Sequence, residues 1–313
     1  MPALKVCNFR HRDSVCTGFL TGEKILPLEK AYGLMPGAPK APPTLDVLVG
    51  DLSRHMQVLQ ALAARSLEGD AVLDGLALPL DEARLLAPIL RPGKIFCAGA
   101  NYRDHVARMV GPEKAGALTA DTDPFFFMKG ENAVCGTGDV VPVPKGCLKL
   151  DWEIELAIVI GRKCRNVPVD AAAQYVGGYT VLLDMSARDL SRRPPTFLFP
   201  NDFTAGKAFD HAAPMGPCLL LKQPEEPVRN FELRLHLNGD LRQSSNTSHM
   251  IVSPEKQLSW LSQRITLNPG DIIATGTPAG TGYETGTFLQ PGDVLQATIP
   301  DIGTLLTTVV ATE

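Results

Sequence analysis

The sequence has little of what marks a secreted, membrane-spanning or nucleic-acid-binding protein. No apolar run approaches the ~18 residues of a membrane span, and the N-terminal stretch MPALKVCNFRHRD has no apolar segment long enough for a signal peptide. The formal net charge of −4 argues against a nucleic-acid-binding surface. Tandem repeats and low-complexity tracts are absent. We therefore expect a cytoplasmic protein that binds neither nucleic acid nor membrane.

Cysteine is sparse as well, and its pattern argues against a disulfide framework. The seven cysteines are odd in number and contain no C-x-x-C spacing, whereas small secreted proteins use even, clustered sets. We predict reduced thiols.

The remaining composition is ordinary for a globular protein, with 44% hydrophobic and 20% charged residues. A chain of 313 residues exceeds most single domains, so one large and one smaller domain are expected.

Residues 1–90 are predicted to form the smaller, α+β domain. Residues 19–25 contain a glycine turn between two short apolar segments, which indicates a hairpin. Four prolines between Pro36 and Pro43 mark a loop. Thr44 then follows as a predicted N-cap, and apolar residues recur every three or four positions after it, which predicts an amphipathic helix.

The pattern changes at the turn Arg91-Pro92-Gly93, after which apolar strands follow one another along the chain. Asn238-Gly239 is the strongest hairpin signal in the sequence. Ser253-Pro254 predicts the start of a helix, with Ser as N-cap and Pro at the first helical position. We therefore predict a mixed, β-rich α+β fold, with the larger domain over residues 91–313.

Two glutamates, Glu153 and Glu155, open the apolar run of residues 151–160, DWEIELAIVI. In a strand, residues i and i+2 point to the same face, so these carboxylates lie about 7 Å apart along the backbone. Beside such a hydrophobic stretch, two like charges lose solvation and repel each other. A divalent cation would compensate both, and carboxylate oxygens suit Mg²⁺, Mn²⁺ or Ca²⁺. The alternative is an edge strand whose polar face meets water and basic partners.

A third carboxylate, Asp184, follows the apolar strand predicted over residues 179–183. Side chains at the end of a buried strand open into a site, so three carboxylates from two strands can form an octahedral Mg²⁺ site completed by water or substrate. Arg188 comes four residues later. Its guanidinium can hold a carboxylate through two parallel hydrogen bonds, which makes it a candidate for substrate binding.

Three other polar residues each have two interpretations. His105 follows a strand that ends near Ala100, and it is either a general base or a structural histidine. Lys207 lies beside a glycine, and it either approaches a ligand or is solvated at the surface. The segment of residues 275–280, TGTPAG, either presents hydroxyl and amide groups to an anion or forms a simple tight turn.

Several short motifs, taken in their order along the chain, resemble those of the fumarylacetoacetate hydrolase family. They begin near Lys94 and extend over about two-thirds of the chain. Each motif is weak alone, and the specificity comes from their number and order. The motifs are GANYRDH (99–105), FMK (127–129), DWEIEL (151–156), VIGR (159–162), GGY (177–179), DMSARD (184–189), GKAF (206–209), NG (238–239) and GDIIATGTP (270–278).

The resemblance implies a fumarylacetoacetase-type β-sandwich roll that encloses a Mg²⁺ or Mn²⁺ site, and it implies a homodimer. It assigns Glu153, Glu155 and Asp184 as the metal ligands. The implied substrate is a small 2-oxo acid, chiefly an acylpyruvate, with the metal on its keto and carboxylate oxygens. Four residues are thereby placed against the substrate: Tyr102, Arg188, Lys207 and Thr277.

The predicted reaction is hydrolysis of a C–C bond in a 2,4-diketo acid of the fumarylacetoacetate or fumarylpyruvate type, with His105 and Lys207 as catalytic residues. Relatives commonly place a glutamate three residues after the histidine to orient it. This chain has Arg108 there, which would lower the pKa of the histidine and cannot accept its proton. We predict that Glu284 replaces the missing acid. Two weaker candidates for that position are Asp104 and Glu131.

The arginine keeps other reactions open on the same fold. The alternatives are decarboxylation of an oxaloacetate-type 2-oxo acid, isomerisation of a 2-hydroxymuconate and hydration of a 2-keto acid. A catalytically inactive binding protein is a further alternative, although the three carboxylates and Lys207 argue against it. Residues 191–203, rich in proline and aromatic residues, either close over the substrate or form a static packed loop. The N-terminal domain is predicted to support the dimer or shield the site.

Overall fold

The computed structural model of the chain describes residues 3–41, 44–196 and 198–312. Pro42 and Pro43, which belong to the predicted proline loop, lie outside the described residues. So does Phe197 in the segment of residues 191–203.

Within these ranges the chain forms nineteen β-strands and nine α-helices. The strands are β1 (Lys5–His11), β2 (Ser14–Thr21), β3 (Lys24–Pro27), β4 (Leu78–Pro79), β5 (Arg84–Leu85), β6 (Ile95–Gly99), β7 (Phe125–Lys129), β8 (Val134–Cys135), β9 (Val140–Pro142), β10 (Leu150–Asp151), β11 (Ile154–Ile160), β12 (Val176–Leu183), β13 (Ser186–Ala187), β14 (Ala213–Leu221), β15 (Glu232–Leu237), β16 (Asp240–Asn246), β17 (Ile272–Ala274), β18 (Val294–Ile299) and β19 (Gly303–Val310). The helices are α1 (Leu28–Tyr32), α2 (Leu45–Gly50), α3 (Leu52–Leu67), α4 (Ala71–Leu76), α5 (Arg103–Val110), α6 (Pro112–Ala117), α7 (Phe203–Lys207), α8 (Pro254–Arg264) and α9 (Gly282–Thr285). The predicted β-rich α+β class is confirmed.

One large sheet carries the core of the molecule. Its strand order is β4-β3-β2-β1-β14-β12-β11-β17-β6-β7, with β5 on β1 and β8 on β14. Every residue of β11 and β12 is buried, as their continuous apolar sequences predict for strands covered on both faces. Because β11 pairs with both β12 and β17, it is an interior strand. The edge-strand alternative for the two glutamates is therefore wrong.

The N-terminal residues add strands to this same sheet. β1 pairs antiparallel with β14, where Lys5 lies opposite Leu220. The predicted hairpin of residues 19–25 is confirmed, with β2 and β3 joined through Gly22 in the left-handed region. The predicted helix after Thr44 is interrupted at Asp51, so that α2 and α3 replace one helix. A boundary between domains near residue 90 stays a prediction.

A second sheet of five strands, in the order β16-β15-β18-β19-β9, packs beside the first. The predicted hairpin at Asn238-Gly239 is confirmed, and both residues have positive φ, as a tight hairpin turn requires. Ser253 caps α8 by accepting a hydrogen bond from the Lys256 amide at 3.3 Å, with Pro254 at the first helical position.

All seven cysteines are free, as predicted. None of the helices formed by residues 3–41, 44–196 and 198–312 has both the length and the apolar sequence needed to cross a membrane.

Candidate active site

Three buried carboxylates meet at one end of the large sheet. Glu155 is the second residue of β11, Glu153 directly precedes that strand, and Asp184 directly follows β12. The antiparallel register pairs Ile154 with Leu183, so the start of one strand adjoins the end of the other. One oxygen of each carboxylate lies within 4.8 Å of the others. The structure thus brings together the three side chains predicted to bind a metal.

The charges around these carboxylates are unevenly balanced. Burial raises the pKa of Glu155 well above its usual range, and the charges of Asp184 and Glu153 raise it further. Burial acts on Glu153 as well, but Arg188 and Lys207 outweigh it and lower the pKa of that carboxyl. Lys207 Nζ lies 2.8 Å from Glu153 Oε2 and 2.5 Å from Asp184 Oδ2. Glu153 and Asp184 therefore both have cationic partners, whereas Glu155 has no ion pair among the described residues.

One oxygen of this group, Oδ1 of Asp184, is left without a hydrogen-bond donor among the described residues. Lys129 Nζ lies only 2.8 Å away, but its protons are donated to the carbonyls of Met185, Lys207 and Ala212. A buried anionic oxygen without a donor suits a hard divalent cation, which takes oxygen ligands. The donor set therefore fits Mg²⁺ or Mn²⁺, held by Glu153, Glu155 and Asp184.

A histidine and a glutamate from distant parts of the chain form a close pair beside the carboxylates. His105 on α5 and Glu284 on α9 approach to 2.5 Å between Nδ1 and Oε1. Glu284 Oε2 accepts a hydrogen bond from the Gly280 amide at 2.7 Å. Arg108 Nη1 lies 3.4 Å from Oε2, but its side chain is 59% exposed whereas that of Glu284 is 2% exposed. The arginine therefore extends into solvent at the rim, and the imidazole keeps a carboxylate partner.

The two weaker candidates for that partner lie elsewhere. Asp104 accepts the backbone N–H of His105 at 2.8 Å rather than the ring. Glu131 is exposed and lies 3.7 Å from Arg91. Of the three carboxylates considered from the sequence, the structure brings only Glu284 to the imidazole of His105.

The two predicted cationic substrate ligands are engaged with the carboxylates. Arg188 is bonded to Asp151, at 2.9 Å from its Nε, and to Glu153. Its guanidinium also lies over the ring of Tyr283, 5.6 Å from the centroid. Lys207 is buried between the metal-ligand candidates described above. Both cations line the same cavity as His105, and their roles in binding and catalysis stay predictions.

Thr277 and Tyr102, also predicted to bind substrate, are less clearly exposed to the cavity. The Thr277 hydroxyl donates to the Ile154 carbonyl at 2.9 Å and accepts from Gln243 at 2.9 Å, although the residue lines the cavity. Tyr102 is fully buried and is not among the cavity-lining residues. Its hydroxyl has no hydrogen-bond partner in the described part of the chain, and burial raises its pKa well above the usual range. Contact of either residue with a substrate stays a prediction.

Three residues that sequence reasoning passed over organise the site: Lys129, Asp151 and Gln243. Lys129 and Asp151 lie within the FMK and DWEIEL motifs, so a sequence signal for them existed. Gln243 has no such signal. It accepts a hydrogen bond from the Ile154 amide at 3.0 Å and donates to Thr277, and it thereby fixes the start of β11 against the loop that follows β17.

Asp151 links the metal-ligand strand to the helix that carries Glu284. It accepts hydrogen bonds from the amides of Gly282 and Tyr283, at 2.6 Å and 3.0 Å, and from Arg188. Position 282 requires glycine, because an added Cβ would lie 2.7 Å from Asp151 Oδ1. Burial raises the pKa of Asp151, and Arg188 opposes that rise. Asp151 therefore positions Glu284 without touching it.

We expect Asp151→Asn to lower kcat by about 100-fold, because an amide NH₂ facing two backbone amides displaces α9, and small displacements of a catalytic group cost this much. Metal affinity is expected to change less than kcat, because Glu153 keeps Lys207 as an ion-pair partner even though Arg188 links it to Asp151. Calorimetry and steady-state kinetics measure the two effects. The matched control is Asp189→Asn, which alters an aspartate that holds the Leu148 amide at 2.7 Å, away from the dyad. Unchanged kcat in Asp151→Asn would contradict the assignment.

One cavity of about 310 Å³ is lined by the three carboxylates together with His105, Arg188, Lys207 and Thr277, whereas Glu284 and Asp151 are not among its lining residues. Its inner end is formed by His105, Thr277 and the charged residues. Its outer end is apolar. The outer lining residues are Val106, Met109, Val110, Phe125, Phe127 and Phe203. The cavity is at the lower limit of the range for small-molecule sites, about 300–1,000 Å³.

Comparison of the sequence with known families and proteins gives a consistent result. The model of the family described as fumarylacetoacetate (FAA) hydrolase, C-terminal, matches residues 94–310. The chain is 38% identical over 237 residues to the protein named oxaloacetate tautomerase FAHD2B, mitochondrial, of Bos taurus. That match covers 74% of this chain and 71% of the bovine protein.

Solved structures show the same similarity over the entire chain. One is a probable 2-hydroxyhepta-2,4-diene-1,7-dioate isomerase from Mycobacterium abscessus, with a TM-score of 0.77, 28% identity and 100% of each chain covered. Another is a maleylpyruvate hydrolase from Sphingobium, with a TM-score of 0.73, 27% identity and coverage of 99% of this chain and 100% of the other. The relatives therefore include a tautomerase, an isomerase and a hydrolase.

Proposed function

The chain belongs to the fumarylacetoacetate hydrolase family, as its motifs predicted, and from this premise we propose that it is a divalent-metal-dependent hydrolase that cleaves a C–C bond in an acylpyruvate. The observation that supports this most strongly is the contact of Glu284 with His105, because His105 lines one cavity together with three buried carboxylates. Hydrolysis needs a base that activates water, and a histidine oriented by a carboxylate is suited to that task.

In this reaction His105 takes a proton from water at Nε2, the ring nitrogen that Glu284 leaves free. The hydroxide attacks the distal carbonyl carbon, the bond to the pyruvate part breaks, and its electron pair stays on the pyruvate carbon. His105 returns its proton to that carbon. Glu284 stabilises the imidazolium between the two transfers, and Lys207 supplies positive charge where negative charge develops.

The proposed cofactor is Mg²⁺ or Mn²⁺, with Ca²⁺ as the alternative oxygen-binding ion. When bound, the cation would hold the 2-oxo acid end of the substrate and stabilise negative charge beside the keto group. Glu153, Glu155 and Asp184 would be its ligands. We also propose that the protein is a homodimer. We propose that it acts in the cytoplasm, although the name of the bovine relative places that protein in mitochondria.

A second candidate function is tautomerisation of oxaloacetate, and the bovine relative named for that activity favours it. The same histidine would move a proton between the carbon next to the keto group and the enol oxygen, and no water would be consumed. Decarboxylation and hydration would use the same inner end of the cavity. These reactions share the residues and differ in the products.

A substrate panel separates these reactions. The protein, loaded with Mg²⁺ or Mn²⁺, is given an acylpyruvate, enol-oxaloacetate and a 2-keto-3-deoxy sugar acid in water enriched in ¹⁸O. We expect cleavage of the acylpyruvate into pyruvate and a carboxylic acid that carries one ¹⁸O. Loss of enol-oxaloacetate without acylpyruvate cleavage would favour the tautomerase, and release of CO₂ the decarboxylase. Absence of both turnover and metal binding would indicate a binding protein.

A further inference from the structure

We propose that the outer end of the cavity is a subsite for an uncharged, apolar substituent at the far end of the substrate, such as an aryl or alkyl acyl group. This inference rests on the proposed function, because it takes the 2-oxo acid end to lie at the carboxylates. An apolar subsite would favour acylpyruvates with an uncharged acyl group. It would disfavour substrates of the fumarylpyruvate type, which carry a second carboxylate at that far end.

One wall of this subsite is a face of the helix that carries the histidine. Val106, Met109 and Val110 all line the cavity, and their spacing of three and four residues puts them on one side of α5. His105 lies in the first turn of the same helix. A substituent held against this wall is therefore next to the proposed base, which is where the distal carbonyl of an acylpyruvate must lie.

The facing wall consists of aromatic rings. Phe203 lies 5.3 Å from Phe127 with the ring planes 12° apart, and 5.5 Å from Phe125. Lys207 Nζ lies 5.0 Å from the centroid of Phe127, so the aromatic wall begins where the charged end stops. Phe125 in turn packs closely on Gly99, where an added Cβ would lie 2.8 Å from the ring. These rings offer broad apolar surfaces to a flat substituent.

At the outer end, no cation among the described lining residues is placed to pair with a second carboxylate of the substrate. The two lining cations, Arg188 and Lys207, are bonded to the carboxylates at the inner end. Near α5, Arg103 donates to the carbonyls of Ala115 and Leu118, and Arg108 lies beside Glu284. A carboxylate moved into this end would lose its hydration without gaining a partner, which is unfavourable.

The exposure of the outer residues also indicates a ligand. Met109, Val110, Phe125 and Phe203 line the cavity and are each at least 36% exposed. Large apolar side chains grouped in this way are uncommon on protein surfaces and mark sites where apolar surface becomes buried. An apolar substituent would cover them, whereas a charged one would not.

Calorimetry with three unreactive probes tests the subsite on the Mg²⁺-loaded protein. Oxalate reports the inner end alone, N-phenyloxamate adds an uncharged ring, and N-oxalylglycine adds a carboxylate. We expect N-phenyloxamate to bind at least about 10-fold more tightly than N-oxalylglycine, as expected for burial of a ring against desolvation of a charge. Phe125→Ala should weaken N-phenyloxamate about 10-fold and leave oxalate unchanged.

A charge introduced at the rim should reverse the preference. Val110→Lys is expected to tighten N-oxalylglycine about fivefold and to weaken N-phenyloxamate. Met128→Lys is the matched control, because Met128 is 48% exposed on β7 and does not line the cavity. Unchanged oxalate binding shows that each variant is folded with its inner end intact.

Tighter binding of N-oxalylglycine in the unmodified protein would overturn the proposal, as would equal effects of Val110→Lys and Met128→Lys. A different result would contradict the proposed hydrolase activity. If the probes bind with the expected preference but no acylpyruvate is cleaved, the subsite stands and the reaction is a different one.

Discussion

Replacing Glu155 with glutamine is expected to abolish binding of Mg²⁺ and Mn²⁺ and to lower turnover by at least about 1,000-fold, since a bound metal contributes several kcal/mol to charge stabilisation. Glu155 accepts the Gly276 amide at 2.7 Å, a bond that a glutamine oxygen can keep. The substitution therefore removes a charged metal ligand and preserves the local backbone. Calorimetric titration of the metal and steady-state kinetics measure the two losses.

The same variant is expected to keep or gain thermal stability when no metal is bound. Burial raises the pKa of Glu155, and Asp184 and Glu153 raise it further, so without metal the charged form of Glu155 is unfavourable. Metal-free Glu155→Gln should unfold at the same or a higher temperature than the unmodified protein. Added Mg²⁺ should raise the Tm of the unmodified protein only. Because the metal competes with a proton at Glu155, its affinity should fall as the pH is lowered.

The control for Glu155→Gln is Glu232→Gln, which changes an exposed glutamate on β15 that pairs with Arg234. It should leave metal affinity, turnover and Tm close to those of the unmodified protein. Metal binding of normal strength in Glu155→Gln would contradict the proposed ligand set.

Glu284→Gln is expected to lower turnover by about 100- to 10,000-fold, the range for loss of general acid–base catalysis. Metal affinity should stay within about threefold, because Glu284 is not one of the three ligand candidates and contacts His105 rather than those carboxylates. The reason is electrostatic: Glu284 lies 2.5 Å from His105, and a neutral amide cannot stabilise the imidazolium that forms when His105 takes a proton. His105→Asn should have a similar effect, and the double variant should be little worse than either single variant.

Glu131→Gln is the matched control, since Glu131 was a candidate for the same role and is exposed beside Arg91. It should leave turnover unchanged. If Glu284→Gln kept normal turnover with an acylpyruvate, His105 would need no carboxylate partner and the hydrolytic mechanism would be wrong. Retained tautomerase activity together with lost hydrolysis would instead show that only hydrolysis depends on the pair.

The metal-ligand candidates were accessible from local sequence because their arrangement is local. The i, i+2 spacing of Glu153 and Glu155 places both side chains on one face of an extended segment. Asp184 comes at the end of an apolar run, and antiparallel pairing of the two runs brings it beside them. Strand geometry and the unfavourable burial of like charges made a cation one of two interpretations of the glutamates, and the family resemblance then assigned the three ligands.

Other parts of the site had no local signal. Glu284 is 179 residues from His105, and its place in the loop after the motif of residues 270–278, by resemblance to the family, pointed to it. Gln243 follows an ordinary hairpin, and its contact with the Ile154 amide depends on how the two sheets pack. The break between α2 and α3 was also missed, because the apolar spacing continues through Asp51 even though the helix does not.

Local sequence was enough to predict the β-rich class, the turns at Gly22 and Asn238-Gly239, and the grouping of acidic residues. Each of these follows from backbone preference or from the period of a strand, which act between near neighbours. The packing of distant segments places Arg108 at the rim and Glu284 against the imidazole. It also separated a charged inner end of the cavity from an apolar outer end. These features join residues from distant segments, and their distances are set by packing of the sheet and helices rather than by local sequence.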